Sequence, residues 1–307
     1  MRALLAALAA TALISAGCGA ATGPSAAKSL PTSTLSSSPT DAMTTSTTTP
    51  PPVTKVLVFV EENHSLAQMK AGMPYAYGLA KRYGYASNFI ATTHPSLPNY
   101  IAIASGSTAG ITDDKDPASH KLTGQSVFGQ AITAGKTAAV YAEGMPSPCA
   151  QTKGGFSYVP KHNPWAYFVN ERAACNEFDG PSSRMTAAIT DGKLPTVGMV
   201  VPNLLHDAHD GSLGSADAWF KGWMTKIFAG PDWKSGHLVV ILTADEDDRL
   251  SGNKVMTVVM SPRLHGKVVT TKLTHYSITR LYEVVAKVPF LGKASTAPSI
   301  SGAFGLN

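Results

Sequence analysis

The chain has 307 residues, of which 44% are hydrophobic and 15% charged, and a formal charge of +5. That length and apolar content suit one large domain with a buried core and exclude wholesale disorder. The charge excess is mild and no Lys/Arg cluster tracks a phosphate backbone, which argues against a nucleic-acid partner.

At the start, Arg2 precedes an apolar run over residues 3–16, too short for a permanent membrane-spanning helix. A basic residue, an apolar stretch and then small residues read as an export signal over 1–17. The run ends Ile14-Ser15-Ala16-Gly17-Cys18, which resembles the lipobox of bacterial lipoproteins, with Ser15 where Leu is most usual. The resemblance implies lipidation of Cys18 and an outward-facing membrane anchor; simple secretion is the alternative. Of the 36 residues 19–54, 23 are Ser, Thr or Pro. Such a segment cannot bury enough apolar surface to offset its ordering entropy, so 18–54 reads as a disordered tether. The folded domain is then 55–307. With Cys18 set aside, Cys149 and Cys175 remain, and in an exported chain they suggest one disulfide.

Along the domain, five β-branched runs predict buried strands at 56–60, 138–141, 197–201, 238–243 and 255–260. Helical spacing predicts helices at roughly 73–82, 98–105, 126–134, 215–228 and 276–285. The aromatics Trp219, Phe220, Trp223 and Phe228 of the longest are core positions. The alternation predicts an α/β fold, a mostly parallel central sheet with helices on both faces.

In such sheets the site lies beyond the carboxyl ends of the strands. Three strand ends carry metal-type ligands: Glu61-Glu62-Asn63-His64, the stretch from Asn203 through Asp207 to His209 and Asp210, and Asp245-Glu246-Asp247-Asp248. One acidic run alone would read as a solvated loop. Three converging on one edge point to a divalent cation. Ser96, in His94-Pro95-Ser96-Leu97-Pro98-Asn99-Tyr100, stands at the predicted start of an apolar helix, where free N–H groups and the helix dipole favour phosphate. A hydroxyl at that point beside a metal is a candidate nucleophile; a plain N-cap serine is the structural alternative.

These segments, with Lys161-His162-Asn163-Pro164-Trp165 and Thr274-His275-Tyr276-Ser277, resemble the bacterial phosphoesterase family of acid phosphatases and phosphocholine-type phospholipases C, within the alkaline phosphatase superfamily. Compact secreted acid phosphatases of actinobacteria, some acting on phosphatidylinositol 3-phosphate, are the members it looks most similar to. The resemblance implies an alkaline-phosphatase-like fold and a phosphomonoester substrate, including phosphoinositides. It implies metal ligation by Glu62, Asn63, Ser96, Asp245 and Glu246, with Asn203, Asp207 and His209 as further candidates. It implies Ser96 as nucleophile, Asn99 on the phosphoryl oxygens, and His94, His162, His209 or His275 contacting phosphate or protonating the leaving group. Asn203 stands where two-metal relatives carry Asp, and Arg249 stands where Gly is common. The metal is open among Zn, Ca, Mg, Mn and Fe. A phospholipase C acting on diesters and a phosphate-binding lipoprotein without turnover are the rival readings. A sulfatase fits poorly, because Tyr100 stands where the sulfatase motif has Arg.

Overall fold

The computed structural model describes residues 51–155 and 157–307; the signal segment, Cys18 and most of the tether lie outside the described residues. In chain order the elements are β1 (Lys55–Glu61), α1 (Leu66–Gly72), α2 (Pro74–Arg82), β2 (Gly84–Ile90), α3 (Ser96–Ser105), α4 (Val127–Thr133) and β3 (Ala138–Ala142). There follow α5 (Arg172–Phe178), β4 (Asp179–Pro181), α6 (Arg184–Thr190), β5 (Val197–Val201), α7 (Leu213–Ala229), α8 (Pro231–Lys234) and β6 (Leu238–Ala244). The chain closes with β7 (Lys254–Met260), β8 (Lys267–Val269), α9 (His275–Ala286) and α10 (Ile300–Phe304).

One eight-stranded sheet has the order β4-β3-β5-β1-β6-β7-β2-β8. β7 pairs antiparallel with both β6 and β2; every other pairing is parallel. All five sequence-predicted strands are present. β1, β5 and β6 lie side by side at the centre, and β5 and β6 are buried along their whole length, as near-continuous Val/Ile/Leu runs require when helices cover both faces. One helix layer contains α3, α4 and α9, the other α1, α2, α7 and α8. Phe59 of β1 meets Trp219 and Phe220 of α7 edge-on, at centroid distances of 6.1 and 5.1 Å; Phe220 is core, as its spacing predicted, whereas Trp219 is half-buried at the edge of the core.

Composition assigned 51–54 to the tether, but the folded domain holds them. Thr54 donates its N–H to the His237 carbonyl, the Pro52 carbonyl accepts from His237 Nδ1, and Arg263 reaches the Pro51 carbonyl. Backbone groups that would otherwise be solvated are paired there, which proline-rich composition does not reveal.

Between β3 and α5 the chain makes short 3-10 turns, one of them Pro160–His162, which packs against α3. Cys149 and Cys175 are bonded and bracket this insert, as the sequence suggested. Beside the bridge, Asn163 donates to Asp179 (2.8 Å) and to the Tyr158 hydroxyl (3.1 Å). The residue after His162 is thereby tied to the start of β4.

Candidate active site

β1, β5 and β6 end on one edge, and β6 carries the chain straight into the acidic run. Asp245 N–H still donates to the Glu61 carbonyl, so Asp245 is fixed by the sheet ladder itself. The four acids then divide their work. Asp245 Oδ1 accepts from the N–H of Asn63 (3.1 Å) and of Glu246 (2.6 Å). Its Oδ2 is buried and has no hydrogen-bond partner among the described residues. Asp247 folds the loop by accepting from the N–H groups of Arg249, Ser251 and Asn253. Asp248 accepts from Gln68 of α1 (2.9 Å). Arg249 adopts φ 68°, the left-handed conformation that glycine takes at no steric cost, so the loop keeps that backbone bend with an arginine in place.

The other wall is α3. Ser96 is its first residue with Pro95 at the N-cap, so Ser96 is not a capping serine. Its Oγ donates to Glu62 Oε2 at 2.9 Å, and both side chains are almost fully buried. One helical turn on, the Tyr100 hydroxyl donates to Glu62 Oε1. Positions i and i+4 share a face, so α3 grips both carboxylate oxygens at once. Asn99 is buried with its amide fully engaged. It accepts from Thr93 N–H and donates to the carbonyls of Thr93 and Pro95 and to Glu246 Oε2. In this structure it fixes Glu246 and the turn before Ser96.

His162 lies between Glu62 Oε1 (3.3 Å) and Asp207 Oδ2 (3.1 Å), its ring stacked on Tyr100 at 5.1 Å and 12°. These are ion-pair distances without good hydrogen-bond alignment. Burial alone would push the imidazole down; the two carboxylates override it and raise it to about 9. Glu62 mirrors this: burial would raise it, but His162, Lys161 and the Tyr100 hydroxyl bring it down to about 2. Asp245 goes the other way, raised by burial and by the neighbouring Glu62 and Glu246. Burial also raises Glu246, to about 7, against the opposing pull of His94. His94 sits between Glu246 (3.1 Å) and Asp247 (3.2 Å).

The cleft these groups open into has a volume of about 280 Å³ and is lined by Asn63, Ser96, Lys161, His209, Glu246 and Arg249, among others. Asn63 follows β1 at φ 52°, a conformation asparagine tolerates better than most residues, and this turn brings it into the lining. His209 reaches the same cleft, with Nδ1 2.7 Å from Asp210. Asp207 positions its neighbours: its carbonyl accepts from Glu62 N–H and its Oδ1 from His209 N–H. Asn203 does something else, accepting from the N–H groups of Leu205 and His206 in a turn.

His275 is the sequence candidate that the fold sets behind the wall. It is fully buried as the first residue of α9; Nε2 donates to the Ala244 carbonyl (3.2 Å) and Nδ1 faces the N–H and hydroxyl of Thr92. Burial holds its pKa down to about 4. A depressed histidine contributes stability that is complete above its unfolded value near 6.5 and is lost as pH falls from there to its folded value near 4, an effect on the order of 3 kcal/mol. His275→Gln can replace both hydrogen bonds without titrating. Its melting temperature should therefore fall less than the wild type's between pH 7 and 4.5, with kcat at pH 7 within about threefold. A large loss of kcat at pH 7 in a folded variant would return His275 to the chemistry.

Comparison with known proteins agrees with this frame. The chain is 30% identical over 258 residues to a phosphatidylinositol-3-phosphatase of Mycobacterium tuberculosis, covering 83% of this chain and 84% of that one. It is 28% identical over 227 residues to an acid phosphatase of Aspergillus fumigatus, and it spans only about half (49%) of that relative. Among solved structures it superposes on a protein in the alkaline phosphatase superfamily from Vibrio parahaemolyticus, with TM-score 0.58, 10% identity and coverage of 83% and 72%. It superposes likewise on a phosphonate monoester hydrolase from Silicibacter pomeroyi, with TM-score 0.52, 8% identity and coverage of 82% and 77%. The model of the Phosphoesterase family matches residues 59–289, three-quarters of the chain, and the chain belongs to that family.

Proposed function

We propose that this chain is an exported, metal-dependent phosphomonoesterase that works through a phosphoserine on Ser96. The observation that carries the reading is the buried Ser96 hydroxyl, at the start of a ten-residue helix, donating to a carboxylate. The similarity to a phosphatidylinositol-3-phosphatase and to acid phosphatases supports a phosphate monoester substrate, with phosphoinositides among the candidates. The export-like start, the lipobox-like Cys18 and the disulfide support an extracytoplasmic location, membrane-anchored or free.

A divalent cation fits the residues present. Glu62, Asp245 and Glu246 are buried hard oxygen donors, near enough for Glu62 and Glu246 to raise Asp245, and Asp245 Oδ2 has no hydrogen-bond partner among the described residues. Together with Ser96 and Asn63 they would hold the ion. When bound, it supplies positive charge that favours the ionised serine and the developing phosphoryl charge.

The chain's own groups supply the rest. Ser96 Oγ, oriented by its hydrogen bond to the ionised Glu62, gives up its proton to solvent water and bonds to phosphorus as the bond from phosphorus to the alcohol oxygen breaks. His209, facing the cleft, gives that oxygen a proton. Water then attacks the phosphoserine, its proton returns to His209, and Ser96 regains a proton from solvent water as phosphate leaves. Asn99 keeps Glu246 and the preceding turn in place, and Asp207 holds His209 and His162.

The test compares p-nitrophenyl phosphate with its bis-aryl diester before and after chelation. Turnover should favour the monoester, fall by about two orders of magnitude on chelation and return with added divalent metal. Chelation without effect removes the metal from the reaction, and a preference for the diester moves the chain to the phospholipase C reading.

A further inference from the structure

The cleft is an unwelcoming place for a phosphate dianion. Asp114, Glu246, Asp247 and Asp248 all line it, with Glu62 and Asp245 buried behind. The permanent cations in the lining are Lys161 and Arg249. Arg249 is exposed on the acidic loop, whereas the Lys161 side chain is only 16% exposed. Its backbone is anchored as well: it lies in the Pro160–His162 turn against α3, next to the His162 ring wedged between Glu62 and Asp207.

What Lys161 touches is the informative part. Its Nζ is 3.2 Å from Asp114 Oδ2, while Asp114 Oδ1 accepts from the Leu97 N–H at 2.9 Å. One carboxylate thus spans an ammonium and a first-turn amide of the helix that carries Ser96, one oxygen on each. Two non-bridging oxygens of a phosphoryl group would make the same pair of contacts. Pro98 has no N–H to offer, which makes the Leu97 amide one of few donors at that helix start. The segment carrying Asp114, residues 112–120, forms no helix or strand, so the side chain is not locked into a regular element.

We propose that Lys161 is a phosphate-binding residue of this enzyme and that Asp114 is its resting counter-ion, displaced from Lys161 and the Leu97 amide when substrate or product phosphate binds. This rests on the phosphoesterase reading of the Ser96 cleft and goes beyond it by assigning two residues to an exchange of anions. The dianion outcompetes a single carboxylate because it brings more charge to the same donors. Burial alone would lower the Lys161 pKa; Glu62 and Asp114 outweigh it and keep the ammonium charged.

The two residues should act in opposite directions on phosphate affinity. Inorganic phosphate is titrated into the purified protein by calorimetry, and its inhibition constant is measured against p-nitrophenyl phosphate. Lys161→Met should weaken phosphate binding at least about tenfold, the usual loss for a charge-assisted hydrogen bond. Lys161→Arg should stay within about threefold, and Asp114→Asn carries the test if the Met variant does not fold. Asp114→Asn keeps an oxygen for the Leu97 amide but loses the competing charge, so it should tighten phosphate binding about three- to tenfold. A merely structural Asp114 would not do that. Phosphate binding that is unchanged in Lys161→Met, or unchanged or weaker in Asp114→Asn, overturns the proposal. Opposite shifts in phosphate affinity without any monoester turnover would instead keep the anion exchange and sink the phosphatase reading.

Discussion

Ser96→Ala should lower kcat for p-nitrophenyl phosphate by at least about 10³-fold while the protein keeps its fold. The expectation follows from where the hydroxyl sits. Ser96 opens α3, so its Oγ is carried at the helix start, facing Glu62 at 2.9 Å. Removing Oγ leaves Glu62 still bonded to Tyr100 and paired with His162, so most of the buried charge remains satisfied. The stability cost should therefore stay near 1 kcal/mol, the price of one hydrogen bond. Activity and stability are thus predicted to separate: a large loss of kcat with a nearly unchanged melting temperature. Rapid quenching of the wild type with labelled substrate should trap phosphate on Ser96, and the Ala variant should trap none. Turnover undiminished in Ser96→Ala would remove the serine from the mechanism, and trapping on another residue would move the nucleophile elsewhere.

The strands that could be read from sequence were those whose chemistry is uniform along their length. β5 is apolar throughout and β6 nearly so, Thr243 apart, because helices cover both faces, and a run such as Leu238–Ala244 has no other stable fate. β2, β4 and β8 were not predicted, each for its own reason. Gly84–Ile90 mixes Ser87 and Asn88 into a half-buried strand, and its register shifts against β7 between Ala86 and Phe89. Asp179–Pro181 is three residues long at one sheet edge, and Lys267–Val269 is a short, largely exposed strand at the other. Such strands owe their existence to their neighbours and carry little propensity of their own.

The site divides in the same way. Glu62, Ser96, Asp245 and Glu246 stand at element ends, where topology alone brings chemistry to one edge, and the fold places them together. Tyr100 was missed as a partner of Glu62, although its i+4 spacing from Ser96 carried the signal. Lys161 and Asp114 are 47 positions apart in the chain, and no local pattern joins them. For histidines, sequence identified residues but not roles. His209 faces the cleft, His275 is braced behind it, and His162 is enclosed between two acids. The difference between those roles lies in burial and partners, which are properties of packing rather than of local sequence.

His162 should be the most expensive histidine to replace. His162→Phe keeps a ring to stack on Tyr100 but leaves Glu62 and Asp207 buried without their shared cation. Removing one partner of a buried ion pair costs about 3–5 kcal/mol. In a domain of this size that is a fall in melting temperature of roughly 6–20 °C. Activity should suffer through Glu62. With His162 gone, burial is the dominant influence on that carboxyl and favours the protonated form, which neither orients the Ser96 hydroxyl as an ionised acceptor nor holds a cation. A loss of kcat of about 100-fold or more is expected. Adding Asp207→Asn separates the two effects, because it removes the second orphaned charge without touching Glu62. The double variant should recover part of the lost stability and none of the lost kcat, a coupling that additive, independent sites would not show. Recovery of both together would mean that His162 serves only to hold the fold. A single variant with unchanged melting temperature would mean that the buried triad does not hold as charges, and the electrostatic account of Glu62 would fall with it.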